Sequence, residues 1–199
     1  MEFRDITNDH ETHYRLDANE EVVFFLHNRG GDMTIELGES GATAYVFAFF
    51  TKRGEGETTL RINQQHLAPH TKSRVLVKSV LWDRAQFAYR GTLHIAENAT
   101  LSDASQENRN LILSRGARAF SEPILEILTS DVRCHHAAST SPLNPETLFA
   151  LTARGLSPNQ AESLLIRGFF QSSIETLETL LSPTDQQKVL SLMKNMLIP

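Results

Sequence analysis

The sequence predicts a mainly β chain that ends in helices. Three observations carry that reading. Short apolar segments recur between positions 22 and 128, bounded by Gly, Asp, Asn or Ser, and none shows a 3.6-residue period. Hairpin dipeptides of the Asn-Gly kind are scarce between them. Asn144-Pro145, Ser157-Pro158 and Ser182-Pro183 then repeat one helix-start signal. Short strands without hairpin turns suit a parallel β-solenoid, whose coils stack apolar faces inward. An antiparallel sandwich or jelly roll fits the same pattern and stays open as the alternative.

Residues 1–20 are polar and are expected to be loosely held. VVFFLH (22–27) is a β-branched and aromatic strand, broken by Arg29-Gly30-Gly31-Asp32. MTIEL (33–37) alternates apolar and polar, and Gly38 and Gly41 flank the next turn. ATAYVFAFF (42–50) reads as a buried strand and KRGEGE as a turn. TTLRIN, SRVLVKSVLW, AQFAY, TLHI, NLIL and ILEIL follow as further strands. Leu93, Leu111 and Leu125 open the similar groups LHI, LIL and LEIL, with turns AEN, SRG and TSD. This is a loose repeat of about 14 to 18 residues.

At the helical end a polar N-cap precedes each proline, whose missing N–H costs nothing at the first helical position. Leu143 and Leu148 fit a hydrophobic staple, and Gly155 fits a helix C-terminus. The second helix carries Ala161, Leu164, Leu165 and Phe169, then Ile174, Leu177, Leu180 and Leu181 beyond Gly168. The third carries Val189, Leu192, Met193, Met196 and Leu197. These spacings give each helix one apolar stripe, expected to face its own core for the most part, with some apolar surface left for a partner. The expected organisation is a polar N-terminal segment (1–20), a β core (21–142) and a helical domain (143–199).

Hydrophobic residues make up 40% of the 199 positions and charged residues 22%, an ordinary globular composition. The net charge of −5 gives a nucleic-acid partner no general support. No apolar run approaches the roughly 20 residues of a membrane-spanning helix. The mixed-charge start, MEFRDITNDHETHYRLD, lacks the apolar centre of a secretory signal. The single cysteine, Cys134, cannot form an intramolecular disulfide. Together these features favour a cytoplasmic protein. No GxxxxGK[ST] loop is present, so any ATPase activity belongs to a partner.

Three stretches are more specific than any short motif: QENRNLILS, the P-x-LEI-x-x-x-DV-x-C-x-H element at 123–136, and NPETLFALTARGLSPNQAESLLIRGF. With HLAPHTKS upstream, the chain from about 66 to 170 resembles the SufB/SufD family, scaffold subunits of the SUF iron–sulfur cluster assembly system. The resemblance implies a right-handed parallel β-helix followed by a C-terminal helical domain. It also implies pairing of two β-helices, as with a SufB-like subunit or a second copy, with a cluster forming near their interface. The helical ends would bind a SufC-like ABC ATPase. Within the family the chain looks closer to SufD. SufB-type chains carry a cysteine at the position of Asn108 and a Glu at that of His136, whereas Cys134 and His136 fit the SufD-like C-x-H arrangement. His135 between them departs from the pattern, and family members usually have an additional N-terminal region.

Cys134 and His136 stand two apart, so a strand projects both to one face, where thiolate and imidazole could address one iron–sulfur species. Two ligands do not close a site, and the remainder would come from another subunit. A buried structural cysteine beside a surface histidine is the competing reading. His135 points to the opposite face and is a weaker ligand candidate. His66, His70 and His94 share no ligand spacing and are expected at the surface or as satisfied core residues, while His10 and His13 sit in the polar N-terminus. No Gly-rich elbow accompanies Cys134, which argues against hydrolytic catalysis. Phe149, Arg154, Leu164, Arg167, Phe169 and Phe170 are the candidates for the ATPase-facing surface, since Arg and Phe are frequent interface anchors. Gly155 and Gly168 are expected to end or bend helices. A metal-free interaction protein of the same fold, a stand-alone solenoid that binds a ligand, and a small metal-dependent enzyme are the alternatives.

Overall fold

The computed structural model describes residues 1–197, with side chains as far as Met193. Met196 and Leu197 of the expected third stripe therefore lie outside the described side chains. The chain divides into two compact units, Met1–Thr140 and the segment from Ser141 onward.

The first unit is a parallel solenoid. Its strands are β1 (Glu2–Asp5), β2 (His13–Leu16), β3 (Glu21–His27), β4 (Gly31–Leu37), β5 (Thr43–Lys52), β6 (Glu55–His66), β7 (Lys72–Leu81), β8 (Arg84–Ile95), β9 (Ser102–Ile112), β10 (Arg118–Ile127) and β11 (Val132–Pro142). Odd strands form one sheet in the order β1-β3-β5-β7-β9-β11, and even strands the other, β10-β8-β6-β4-β2. The strand pairings are parallel, as in β5 with β7 and β6 with β8. This decides between the two architectures open to the sequence: an antiparallel sandwich is excluded.

Each coil is two strands and two corners. Gly54 faces Asp83, 29 residues on, and Ser79 faces Asn110, 31 residues on. The shorter spacing of the LHI, LIL and LEIL groups is thus one strand plus one turn, half a coil. Residues 1–20 are more ordered than expected: they hold β1 and β2, and Tyr14 and Leu16 are buried. AQFAY and TLHI belong to one strand, β8, and only the first part of KRGEGE turns, because β6 begins at Glu55.

The corners explain the absence of hairpin dipeptides. Asn19, Gly41, His70 and Leu101 all have left-handed φ, at 58°, 78°, 59° and 59°, and they follow one another at the strand register of the first sheet. Asn28, Gly54 and Asp83 form a second row, at 52°, 76° and 55°. The corners from β2–β3 through β8–β9 each hold one residue in this region, which Gly, Asn and Asp occupy cheaply and Leu does not. The corners also bond to one another along the stack: Asn28 Oδ1 accepts from Thr51 N at 2.9 Å, and Asp83 Oδ2 from Gly54 N at 2.7 Å.

Alternating side chains from both sheets meet in the interior: Leu16, Phe24, Leu26, Ile35, Leu37, Phe50, Leu60, Ile62, Val77 and Phe87 are all buried there. Phe50 and Phe87 stack across the gap with centroids 4.4 Å apart. The opposite face of β3 and β5 is apolar too, with Phe25, Phe47 and Phe49 buried, so these strands read as continuous apolar runs. Toward β9 the interior turns polar. Gln64 Nε2 donates to Ser73 Oγ at 2.6 Å, and His66 bonds Ser73 Oγ and Thr71 Oγ1, each at 2.7 Å. Thr71 Oγ1 lies 2.8 Å from Ser102 Oγ. Hydroxyls can serve a neutral ring, one nitrogen donating and the other accepting, and burial favours that neutral form. Burial, with a smaller contribution from His94, pushes its pKa down to about 4.

The second unit holds α1 (Pro145–Thr152), α2 (Pro158–Leu180) and α3 (Pro183–Leu197). Each expected N-cap is made. Asn144 Oδ1 accepts from Glu146 N and Thr147 N at 2.8 and 3.2 Å. Ser157 and Gln160 form a reciprocal capping box, and Ser182 Oγ accepts from Asp185 N at 3.2 Å. Gly155 lies just past α1 at φ 96°, a conformation suited to glycine. Gly168 does not interrupt α2, which runs through it. The buried face of α2 is Ala161, Ile166, Phe170, Ser173, Ile174 and Leu177, so the stripe differs from the expected Leu164–Leu165–Phe169 line. No residue of α1 is buried.

Candidate functional site

β11 places the cysteine. It is the last strand of its sheet, beside β9, and its far edge carries no strand among the described residues. Alternation sends Val132, Cys134 and His136 to one face and Arg133 and His135 to the other. Val132 and Cys134 lean on the small apolar cluster Leu93, Ile95, Ala99 and Ala104. Cys134 is consequently half-buried, while His135 and His136 are exposed. The Cys134–His136 pair thus straddles the boundary between core and solvent.

The thiol is not primed as a nucleophile. Burial pushes the Cys134 pKa up, and the neighbouring Asp103 carboxylate adds to the rise. A cationic neighbour would do the reverse. Asp103 escaped sequence reasoning because nothing local ties position 103 to 134; only the β9–β11 pairing does. Asp103 also lines a surface pocket of about 340 Å³ with Leu101, Ser102, Asp131 and Arg133. Among the described residues no group of three or more His, Cys, Asp or Glu side chains converges on one point. Cys134 and His136 thus place one sulfur and one imidazole on a common face of β11.

Asn108 points into the solenoid end and is buried. Its Oδ1 accepts from Asn110 Nδ2 at 2.8 Å and from Ser121 Oγ. Asn110 in turn donates to Thr140 Oγ1 at 3.1 Å and accepts from Ser79 Oγ at 2.7 Å. This network fixes β11, the strand that carries Cys134, against β9 and β10. On β10 the side chains of Phe120, Ile124, Leu125, Ile127 and Leu128 just beyond it are exposed. Of the scattered histidines, His66 is a satisfied core residue and His94 Nδ1 lies 3.0 Å from Glu126 Oε2.

In the helical unit Phe149 is 73% and Leu164 49% exposed, and Arg154 and Arg167 are exposed. Leu164 and Arg167 line a groove of about 730 Å³ with Gly155, Leu156, Asn159, Gln160 and Ser163. Arg154 Nη1 donates to Ala150 O at 2.8 Å, which ties down the end of α1. Phe169 is half-buried and meets Phe170 edge-on at 5.3 Å. Phe170 is fully buried, so it is a packing residue and not part of an exposed surface. Its position on the buried face of α2, four residues after Ile166, is the reason.

Comparison with known proteins supplies the family. Residues 27–169 match the SufBD core domain of the SUF system for FeS cluster assembly. An iron–sulfur cluster assembly SufBD family protein of Synechocystis is 30% identical over 165 residues, 82% of this chain and 36% of the relative. The iron–sulfur cluster assembly protein SufD of Bacillus subtilis is 35% identical over 126 residues, 62% of this chain and 29% of that protein. SufB of the same organism is 31% identical over 106 residues, 53% of this chain and 23% of that one. The chain thus spans about a third or less of the length of these relatives. With most of the chain inside the core-domain match, and with a relative 30% identical over 82% of the chain, the chain belongs to the SufBD family of iron–sulfur cluster assembly proteins.

Proposed function

We propose that the chain is a SufD-like, non-catalytic scaffold half. It pairs through its solenoid with a SufB-like subunit or a second copy, and it binds a SufC-like ABC ATPase through the helices at 143–199. The carrying observation is that Cys134 and His136 sit on β11, whose outer edge has no neighbouring strand among the described residues. Such an edge is a template for another chain. The exposed apolar side chains of β10 supply area for the same contact. An iron–sulfur cluster, carried as transient cargo, would take two donors from this edge, with His135 as a weaker third, and the rest from the partner. Phe149, Leu164, Arg154 and Arg167, with Phe169 at their margin, are the proposed ATPase-facing set. The reading places the protein in the cytoplasm, off membranes and nucleic acids. Among the described residues no helix is long and apolar enough to cross a membrane.

The half-burial and raised pKa of Cys134 favour a second reading, the same pairing without a cluster. One experiment separates them. The chain is co-expressed with SufB-like and SufC-like partners, and the complex is reconstituted anaerobically with iron and sulfide. Visible absorption is compared for wild type, Cys134→Ser and His136→Ala. Loss of the cluster signal with the complex intact supports cluster handling. Equal spectra support the metal-free reading, and no complex at all refutes both.

A further inference from the structure

The outer face of the second sheet carries an order of charges that strand pairing alone does not favour. Asp32 on β4, Arg61 on β6, Arg90 on β8 and Glu122 on β10 fall in one register row. Their chain neighbours Met33, Ile62 and Gly91 are buried inward, so the charges project outward. Arg61 Nη1 donates to Asp32 Oδ1 at 3.0 Å, and Arg90 Nε lies 2.8 Å from Glu122 Oε2. Each arginine is thus paired on the side away from the other, and the signs run minus, plus, plus, minus. Like charges opposite one another on adjoining strands destabilise a sheet, and an alternating order would avoid that contact.

A pocket of about 370 Å³ lies against this row, lined by Arg61, Arg90, Thr34, Asn63, Thr92 and Ile124. That volume falls within the roughly 300–1,000 Å³ of small-molecule sites. Thr34, Asn63 and Thr92 form the next outward row, in register with one another, and bring neutral hydrogen-bond donors. Ile124, exposed and in register with Thr92, supplies an apolar wall. Asp32 lines the pocket too, with its Oδ1 committed to Arg61. Each arginine carries more N–H donors than its one ion pair uses. The electrostatics favour an anion. Strands lie about 4.8 Å apart, so a group midway between β6 and β8 is offset by about 2.4 Å from each arginine's strand and about 7.2 Å from each carboxylate's. Coulomb energy falls with distance, so the two near positive charges outweigh the two far negative ones.

We propose that Arg61 and Arg90, with Thr34, Asn63 and Thr92 beside them, bind a small oxyanion of the phosphate class. The anion accepts from both guanidiniums at once, which offsets the repulsion between them, and takes further bonds from the hydroxyls and the Asn63 amide. Charge-assisted bonds are the strong ones, and guanidinium geometry suits phosphate oxygens. Free inorganic phosphate and the terminal phosphate of a larger molecule present the same chemistry. The site lies on the other sheet from β11 and does not rest on the scaffold reading.

The test is thermal unfolding of the whole chain in rising inorganic phosphate at constant ionic strength, for wild type, Arg61→Gln, Arg90→Gln and Arg84→Gln. Arg84 is an exposed, ion-paired arginine on the same strand as Arg90 but outside the pocket, so it controls for the loss of a surface charge. The melting temperature of wild type and Arg84→Gln should rise and then saturate. The apparent Kd should weaken about tenfold or more in Arg61→Gln and in Arg90→Gln, the weight of a hydrogen bond to a charged group. A rise that never saturates, or that is equal in all four proteins, is a general salt effect and overturns the proposal. Glycerol phosphate run alongside separates the sources: tighter binding than inorganic phosphate indicates an esterified ligand, weaker binding the free ion. No response to either overturns the proposal. Both arginines are about half exposed, so the variants should fold. If one fails to fold, the other, measured against Arg84→Gln, still decides.

Discussion

Acidification should unfold this protein through His66. The ring is buried, neutral and bonded to two hydroxyls, and its pKa is pushed down to about 4 from an ordinary 6.5. An unfolded chain returns it to the ordinary value, so below about pH 6.5 the unfolded state binds more protons. The sign follows: the stability is fully present above the unfolded pKa and is lost as pH falls through 6.5 toward 4. Between about pH 7.5 and pH 5 the single-site relation gives a loss of about 2 kcal/mol. With an urea slope of about 2 kcal/mol per molar, the midpoint should fall by about 1 M. His27 is also shifted down, by burial first and then by Lys52, and contributes with the same sign. The assay is therefore a difference: urea midpoints at several pH values for wild type and for His66→Gln, which keeps an amide near Thr71 and Ser73. His66→Gln is less stable at neutral pH but should lack this component of the slope. Parallel pH profiles for the two proteins would refute the assignment of the acid sensitivity to His66.

Gly91→Ala should lower stability by about 1–3 kcal/mol, because its methyl lands 2.5 Å from two buried polar atoms, and an unchanged melting temperature would contradict that packing. Leu101→Asn should raise stability by up to about 1 kcal/mol, since an exposed leucine at φ 59° sits where asparagine is better tolerated; thermal unfolding reads the sign. Cys134 should alkylate with iodoacetamide more slowly than a free thiol at neutral pH and speed up as pH rises, and a rate above free cysteine would disprove the raised pKa. Phe149→Ser should leave the melting temperature unchanged, because the ring is exposed, while weakening capture of a SufC-like ATPase in a pull-down.

The helical end was the most legible part of the chain. A polar side chain before proline satisfies free amides by purely local chemistry, so Asn144, Ser157 and Ser182 announced three helix starts that the structure makes. The apolar β segments were legible for a similar reason, since inward positions on a strand must exclude water wherever it pairs. The faces of the helices were less so: Ile166 and Phe170 took the buried side of α2, while Leu164 of the expected stripe was left outside. Helical spacing brings side chains onto a common stripe but does not say which stripe finds a neighbour.

The amino-acid order by itself determined strands, caps and the absence of hairpin turns, because these rest on contacts within a few residues. Tertiary structure alone decided the coil. The stacked left-handed corners at Asn19, Gly41, His70 and Leu101 become a row only when strands 22 to 31 residues apart lie side by side. The same stacking sets Asp103 beside Cys134, buries a neutral His66 between hydroxyls, and leaves β11 at an edge. Such neighbours share no local pattern. Their effect on one another is a matter of burial and distance, which exist only once the chain has closed on itself.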